Sequence, residues 1–195
     1  IRNMLNTKDA VFHEPYVAVR LPFRVYEGDN NYFESIHQPF SPYVHQQRAF
    51  ERLTGEDGRS TLIATGTGSG KTECFLNPIL EYCYKHRGEK GIKALIIYPM
   101  NALASDQAKR IAELVDGSPE LKSAGIRVGM YVGGQEHSSA KMMLPDKVIT
   151  DHETLLAAPP DILMTNYKML DYLLVRPKDA ELWKNNLPDT LKYIA

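Results

Sequence analysis

From residue 43 onward, apolar positions along the chain follow two alternating rhythms. Three-to-four spacing predicts helices at Tyr43–Leu53, Lys71–His86, Ala102–Val115 and Tyr167–Leu174. In the second of these, Phe75, Leu76, Ile79, Leu80 and Cys83 form one apolar stripe. Between the helices, short apolar runs predict buried strands at Ser60–Thr65, Lys93–Tyr98, Gly125–Tyr131, Asp161–Thr165 and Leu191–Ala195. Short buried strands separated by helices predict an α/β fold with a parallel sheet covered on both faces. Residues 1–39 break the rhythm with Pro15, Pro22, Pro39 and the polar run Glu27-Gly28-Asp29-Asn30-Asn31. They are expected to be an N-terminal extension packed on the domain, with one short strand at Tyr16–Arg20. Residues 135–160 are a long polar insertion, expected to be mobile and to hold one short helix.

The order of elements gains chemical meaning at Thr65-Gly66-Thr67-Gly68-Ser69-Gly70-Lys71-Thr72, directly after Thr61-Leu62-Ile63-Ala64. A strand, a glycine-rich turn and a helix opening at a lysine make a phosphate-binding loop. Gly66, Gly68 and Gly70 let the backbone turn tightly enough to aim successive N–H groups at one anion. The helix that follows adds its own unpaired N–H groups and positive dipole end. Lys71 is placed to reach β- and γ-phosphates, and the Thr72 hydroxyl to hold Mg²⁺. The strict pattern has glycine at position 65, where this chain has threonine. A flexible Gly/Ser linker would also be glycine-rich, but it would not place Gly-Lys-Thr after a buried strand.

Composition narrows the picture. The chain has 195 residues, 43% hydrophobic and 24% charged, which suits one well-buried globular domain. The net charge of −1 provides no global basic field, so nucleic-acid binding would rest on local patches and backbone donors. Cys74 and Cys83 lie on one predicted helix without metal-ligand spacing; they read as buried thiols of a reducing, cytoplasmic protein. No signal peptide and no membrane-length apolar run occurs, so no membrane partner is expected. The first residue is Ile1, and the last four run in mid-strand by pattern, so the sequence is expected to be a fragment of a larger protein.

Four further segments stand in order around the loop. Tyr43-Val44-His45-Gln46-Gln47-Arg48-Ala49 precedes it; Tyr98-Pro99-Met100-Asn101-Ala102-Leu103-Ala104-Ser105-Asp106-Gln107 follows the second strand. Tyr131-Val132-Gly133-Gly134 follows the third, and Pro159-Pro160-Asp161-Ile162-Leu163-Met164-Thr165-Asn166-Tyr167-Lys168-Met169-Leu170 closes the series. Taken singly, each has an ordinary reading: a helix start with solvated glutamines, strand-to-helix punctuation with Asn101 as N-cap, a Gly-Gly turn.

Together they resemble the superfamily 2 helicases of the DExH type, in their first RecA-like (DEAD/DEAH-box) domain, over residues 40–195. The wording of the motifs looks most like the large bacterial MrfA-like, DISARM- and Druantia-type helicases. The resemblance implies a RecA-like P-loop NTPase fold and an ATP-hydrolysing enzyme using ATP and Mg²⁺. Nucleotide would be bound by Thr67, Gly68, Ser69, Gly70, Lys71 and Thr72, with Gln46 reading the adenine edge and Gln47 as the fallback. Lys71 and Thr72 would be the catalytic pair, with Thr72 on Mg²⁺. Pro99, Asn101, Gly133, Thr165 and Asn166 would contact the nucleic-acid strand, DNA in preference to RNA. Tyr167 stands where many relatives have proline; stacking on a base and packing against the domain are both open to it.

The same resemblance implies partners: a second RecA-like domain with an arginine finger in the parent chain, and subunits of a phage-defence or repair system. No Asp-Glu-x-His or Asp-Glu-Ala-Asp box occurs in these residues. It is expected just after Ala195, with Leu191–Ala195 as the strand leading into it. Two other enzymes would share the loop: a duplex-DNA translocase motor that does not unwind, and a P-loop kinase or transferase. The kinase reading leaves Gln46, the Tyr98–Gln107 segment and Thr165 without a purpose. An inactive scaffold would have no need of an intact Gly70-Lys71-Thr72.

Overall fold

A computed structural model describes residues 21–29, 31–55, 58–133 and 139–195. The elements run α1 (Val44–Thr54), α2 (Lys71–Lys85), β1 (Ala94–Tyr98), α3 (Asn101–Gly117), α4 (Pro119–Ser123) and β2 (Val128–Tyr131). They continue with α5 (His152–Ala157), β3 (Ile162–Asn166), α6 (Tyr167–Val175), a 3₁₀ turn at Pro177–Trp183 and β4 (Tyr193–Ile194). The strands form one parallel sheet in the order β2-β3-β1-β4.

Alternation along these strands divides the core into two layers. Ala94, Ile96, Ile162, Met164, Val128 and Met130 turn to one side, where Leu76, Ile79 and Leu80 of α2 and Ala104, Ala108 and Ile111 of α3 cover them. Leu95, Leu163 and Tyr131 turn to the other, beneath Leu155 of α5, Leu173 of α6 and Leu182 of the 3₁₀ turn. Both faces are covered, as the apolar rhythm predicts for parallel strands.

A buried ion pair fixes the far ends of the strands. Lys93, with a side chain only 1% exposed, donates to Asp161 Oδ1 at 2.6 Å and to the Glu89 carbonyl at 2.6 Å. Asp161 Oδ2 accepts from the Arg127 N–H at 2.8 Å. One carboxylate thus ties together the starts of β1, β2 and β3, leaving the carboxyl ends to carry loops. Ligands bind at such ends in open parallel sheets.

Three expectations need correction. Ser60–Thr65 is not a strand: it pairs with no strand among the described residues, and Leu62 is 93% exposed. An apolar run becomes a strand only beside a ladder partner, and β4, the edge strand beside β1, is only two residues long. The described part of the insertion is fastened to the domain. Ile149 bridges Gly129, its N–H donates to Val128, and Val148, Ile149 and Leu155 are buried. The expected short helix there is α5. Met100, not Asn101, is the N-cap of α3. The expected strand at Tyr16–Arg20, and Gly134 with residues 135–138, lie outside the described residues.

The N-terminal extension packs where it is described. The Tyr26 N–H donates to the Pro42 carbonyl at 2.8 Å and the Val44 N–H to the Arg24 carbonyl at 2.9 Å. Further along, Glu81 of α2 receives the Ser35 N–H at 3.0 Å and hydroxyl at 2.6 Å, and the Glu34 N–H at 3.3 Å. Burial opposes ionisation of Glu81. The bonds from Ser35, Lys85 and Glu34 outweigh it and hold the carboxyl below its usual range.

Candidate nucleotide cleft and nucleic-acid face

The glycine-rich turn takes a shape that only glycine adopts freely. Gly68 and Gly70 have φ of 76° and 71°, in the left-handed region. Gly70 is the N-cap of α2, so the unpaired N–H groups of the first helical turn open directly from the loop. Lys71 Nζ donates to the Thr65 carbonyl at 3.0 Å and the Gly66 carbonyl at 2.9 Å, across the loop. The threonine that replaces the pattern's first glycine has a structural use: Thr65 Oγ1 lies 2.5 Å from Ser69 Oγ, and Ser69 is buried. That bond staples the loop from within.

Gln46 meets the loop from α1. Its Oε1 accepts from the Tyr43 N–H at 2.8 Å, and its Nε2 donates to the Gly70 carbonyl at 3.1 Å. A carboxamide has two donors and two acceptor lone pairs, so one of each remains after both bonds. Gln47 instead turns to Glu51 at 3.0 Å, along its own helix. Beside Gln46, His45 Nε2 lies 2.8 Å from the Ser69 carbonyl, and its ring stacks on Tyr43 with centroids 5.6 Å apart. Phe23 packs on both rings, and a Cβ added to Gly66 would sit 3.5 Å from it.

A cleft of about 1210 Å³ opens here, with Gln46, Tyr43 and Gly68 to Glu73 on its wall. Thr67 stands exposed at the crest of the loop, outside that wall. Arg110 of α3 forms an ion pair with Glu73 in the first turn of α2. The pairing offsets a carboxylate that would otherwise repel an anion at this helix end. Nothing in the local sequence links residues 37 positions apart, so this pair is legible only in three dimensions. Cys74 and Cys83 are free, buried thiols, and burial raises the pKa of both, as an inert core cysteine requires. Among the described residues no cluster of three His, Cys, Asp or Glu side chains could hold a metal. Thr72 follows Lys71 on the cleft wall.

A second group forms at the carboxyl ends of β1 and β3, where Tyr98 and Asn166 pair in register. Asn166 is the N-cap of α6: its Oδ1 accepts from the Met169 N–H at 2.7 Å. Its Nδ2 donates to Asn101 Oδ1 at 2.7 Å, and Asn101 Nδ2 donates to the Gly133 carbonyl at 3.2 Å. Three sequence-predicted residues are therefore linked by amides, and the starts of α3 and α6 are held side by side. The first-turn N–H groups of Asn101, Ala102, Tyr167 and Lys168 have no intrahelical acceptor. Pro99, exposed, turns the chain into α3 but offers no N–H.

Thr165 departs from its expected place. It is fully buried, and its hydroxyl donates to the Tyr131 carbonyl at 2.7 Å. A strand residue alternates between faces, and this one lies on the face of Leu163 and Tyr131, which α6 covers. Its one hydroxyl proton is committed to that carbonyl, and the bond joins the ends of β2 and β3. Next to it, Tyr131 stacks on His152 with centroids 3.9 Å apart and donates its hydroxyl to buried Asp179 at 2.8 Å. Burial, and then the bond to Asp179, push the Tyr131 pKa up to about 12.

Comparison with known proteins identifies a family. The DEAD/DEAH box helicase family matches residues 43–194. Druantia protein DruE of Escherichia coli is 43% identical over 105 residues, 47% of this chain and 6% of that protein. The ATP-dependent helicase YprA of Bacillus subtilis is 35% identical over 74 residues, 38% of this chain and 9% of that protein. The ATP-dependent RNA helicase mak5 of Schizosaccharomyces pombe is 27% identical over 137 residues, 66% of this chain and 19% of that protein. The chain thus spans from 6% to 19% of the length of these relatives. With its phosphate loop, its parallel sheet and a family match over most of its length, the chain belongs to the DEAD/DEAH box helicases, as a RecA-like ATP-binding domain.

Proposed function

We propose that this chain is the first ATP-binding lobe of an ATP-dependent DNA helicase or translocase, with residues 40–195 as the lobe. The observation that carries the reading is the presence of two anion-receptive groups on one domain. The left-handed phosphate loop opens onto the cleft, and the linked helix starts of α3 and α6 stand at the carboxyl ends of β1 and β3. Lys71 and the loop N–H groups receive the phosphates, Thr72 holds Mg²⁺, and the remaining donor and acceptor of Gln46 read adenine. The residues fit ATP·Mg²⁺: Gly68 and Gly70 are both left-handed, and a Cβ on Gly68 would meet nothing within 4 Å. Bound Mg²⁺ supplies charge neutralisation at the phosphates. Asn101, Gly133 and Asn166 shape the strand-binding face, and Thr165 supports it from beneath.

The assignment to DNA follows the motif wording shared with Druantia-type and MrfA-like helicases, and with it a role in phage defence or repair, alongside other subunits in the cytoplasm. RNA is the second reading, favoured by relatives named as RNA helicases, mak5 among them. A second RecA-like lobe of the parent protein would complete the ATP site, since phosphoryl transfer depends on charge donors placed around the leaving phosphate.

The test is ATPase rate in the full-length protein against single-stranded DNA and RNA of matched sequence. Lys71→Ala should abolish hydrolysis with or without nucleic acid and leave nucleotide-free nucleic-acid binding nearly intact. Stimulation by RNA alone would overturn the DNA assignment. Hydrolysis unchanged in Lys71→Ala would overturn the nucleotide site itself. Strand-displacement assays separate an unwinding enzyme from a duplex translocase.

A further inference from the structure

We propose that Tyr167 is a stacking platform for one base of the bound single strand, beside the helix starts that receive its backbone; this rests on the nucleic-acid face described above. A tyrosine opening a helix on an α/β domain has two destinies, core or solvent. On α6, Leu173 is buried, and Met169 and Leu170 pack on the second core layer, whereas Tyr167 is 59% exposed. Packing against the domain is therefore not its role. A lone exposed tyrosine is ordinary; its position is what distinguishes this one.

Tyr167 directly follows Asn166, the residue whose amide fixes Asn101 and caps α6. Its ring thus stands at the carboxyl end of β3, where backbone donors of two helices converge. Met100 and Leu103, 65% and 42% exposed at the start of α3, border the same end of the sheet with apolar surface. Lys168 Nζ lies over one face of the ring, 6.0 Å from its centroid, so the base stacks on the opposite face and the ammonium is at hand for an adjoining phosphate. The other exposed tyrosine of α6, Tyr172, is covered more closely, by the Arg176 guanidinium at 4.8 Å, and lies more than a turn away from the strand ends.

Every base has a π-face, so such a platform adds affinity without reading sequence. It also separates two kinds of contact that a strand-tracking enzyme needs. The helix starts hold phosphates and carry no base information, whereas the ring senses whether a base is present at all.

The experiment is equilibrium binding of the full-length protein to a labelled single-stranded DNA, and to the same strand with abasic sites throughout the footprint. Wild type, Tyr167→Ala and Tyr167→Phe are compared, each checked by thermal melting. Tyr167→Ala should bind the base-bearing strand about tenfold more weakly, in the range of one lost stack. Tyr167→Phe should keep wild-type affinity, and all three should bind the abasic strand alike. A 2-aminopurine probe in the footprint should lose its quenching in Tyr167→Ala alone. Equal affinity of wild type and Tyr167→Ala for the base-bearing strand overturns the stack while leaving the strand-binding face standing, and would point to a protein partner for this surface. Equal weakening on both strands also overturns it, because the contact would then be to backbone. If wild type binds neither strand, the nucleic-acid reading falls, and this inference with it.

Discussion

Gly70 shows how much of the nucleotide cleft hangs on one residue. Its φ of 71° is costly for any residue with a Cβ, and an added Cβ would lie 2.4 Å from Gln46 Nε2. Gly70→Ala should therefore cost about 1–2 kcal/mol of stability from backbone strain and displace Gln46 from the Gly70 carbonyl. Nucleotide affinity should fall more than strand affinity, measured by titration of a fluorescent ATP analogue alongside thermal melting. Unchanged nucleotide binding would mean that the loop tolerates another shape. This position was legible in the sequence, because a phosphate loop is a local object: eight consecutive residues specify it. Thr165 was not. Its motif was recognisable, but which way a strand residue faces depends on register with Tyr131, and that lies 34 positions away. Thr165→Val should accordingly act on stability, by about 1–3 kcal/mol for a buried carbonyl left unpaired, and not as a lost phosphate contact.

Among the elements, α2 does two jobs at opposite ends. Its N-terminus opens from the phosphate loop, and through Glu81 its later turns hold Glu34 and Ser35, just ahead of residues 36–42, which line the cleft. The Glu81 carboxyl is held below its ordinary 4.5, despite the opposing effect of burial, by Ser35, Lys85 and Glu34. A group depressed in the folded state stabilises it fully above its unfolded value. That contribution is lost as pH falls through the folded one. Wild type should thus lose melting temperature below about pH 4.5 more steeply than Glu81→Gln. Parallel melting curves of the two proteins from pH 7 to pH 3 would exclude this anchor as a source of acid sensitivity. Helices such as α2 were legible because a 3.6-residue stripe is an intrinsic pattern. The Ser60–Thr65 run carries the same kind of apolar signal as β1, yet among the described residues it pairs with no strand, and Leu62 is left exposed. A strand is a relation between two segments, and a single run of residues states only half of it.

Across the whole molecule, α3 joins the two faces. Its first residue, Asn101, bonds to Asn166 and Gly133 at the strand-binding end, while Arg110, farther along, pairs with Glu73 on the phosphate helix. The short, continuous apolar runs of β1 and β3, set between helices, made a sheet covered on both faces readable in advance, whereas this bridge depends on residues that meet only after folding. The division of labour can be tested by pairing Lys71→Ala with Asn166→Ala in the full-length protein. Asn166→Ala removes the α6 cap, for about 0.5–2 kcal/mol of stability, and frees the Asn101 amide. Neither change touches the phosphate loop, so basal hydrolysis should survive. The nucleic-acid concentration giving half-maximal stimulation should rise severalfold, equally for all sequences, since only backbone positioning is disturbed. Lys71→Ala should behave in the opposite way, binding strand but failing to hydrolyse ATP at any nucleic-acid concentration. ATPase rate against nucleic-acid concentration, with melting curves to confirm folding, distinguishes the two. If folded Asn166→Ala loses basal hydrolysis as completely as Lys71→Ala, the faces are not separable, and the path through α3 from Asn101 to Arg110 and Glu73 is where their connection should be sought.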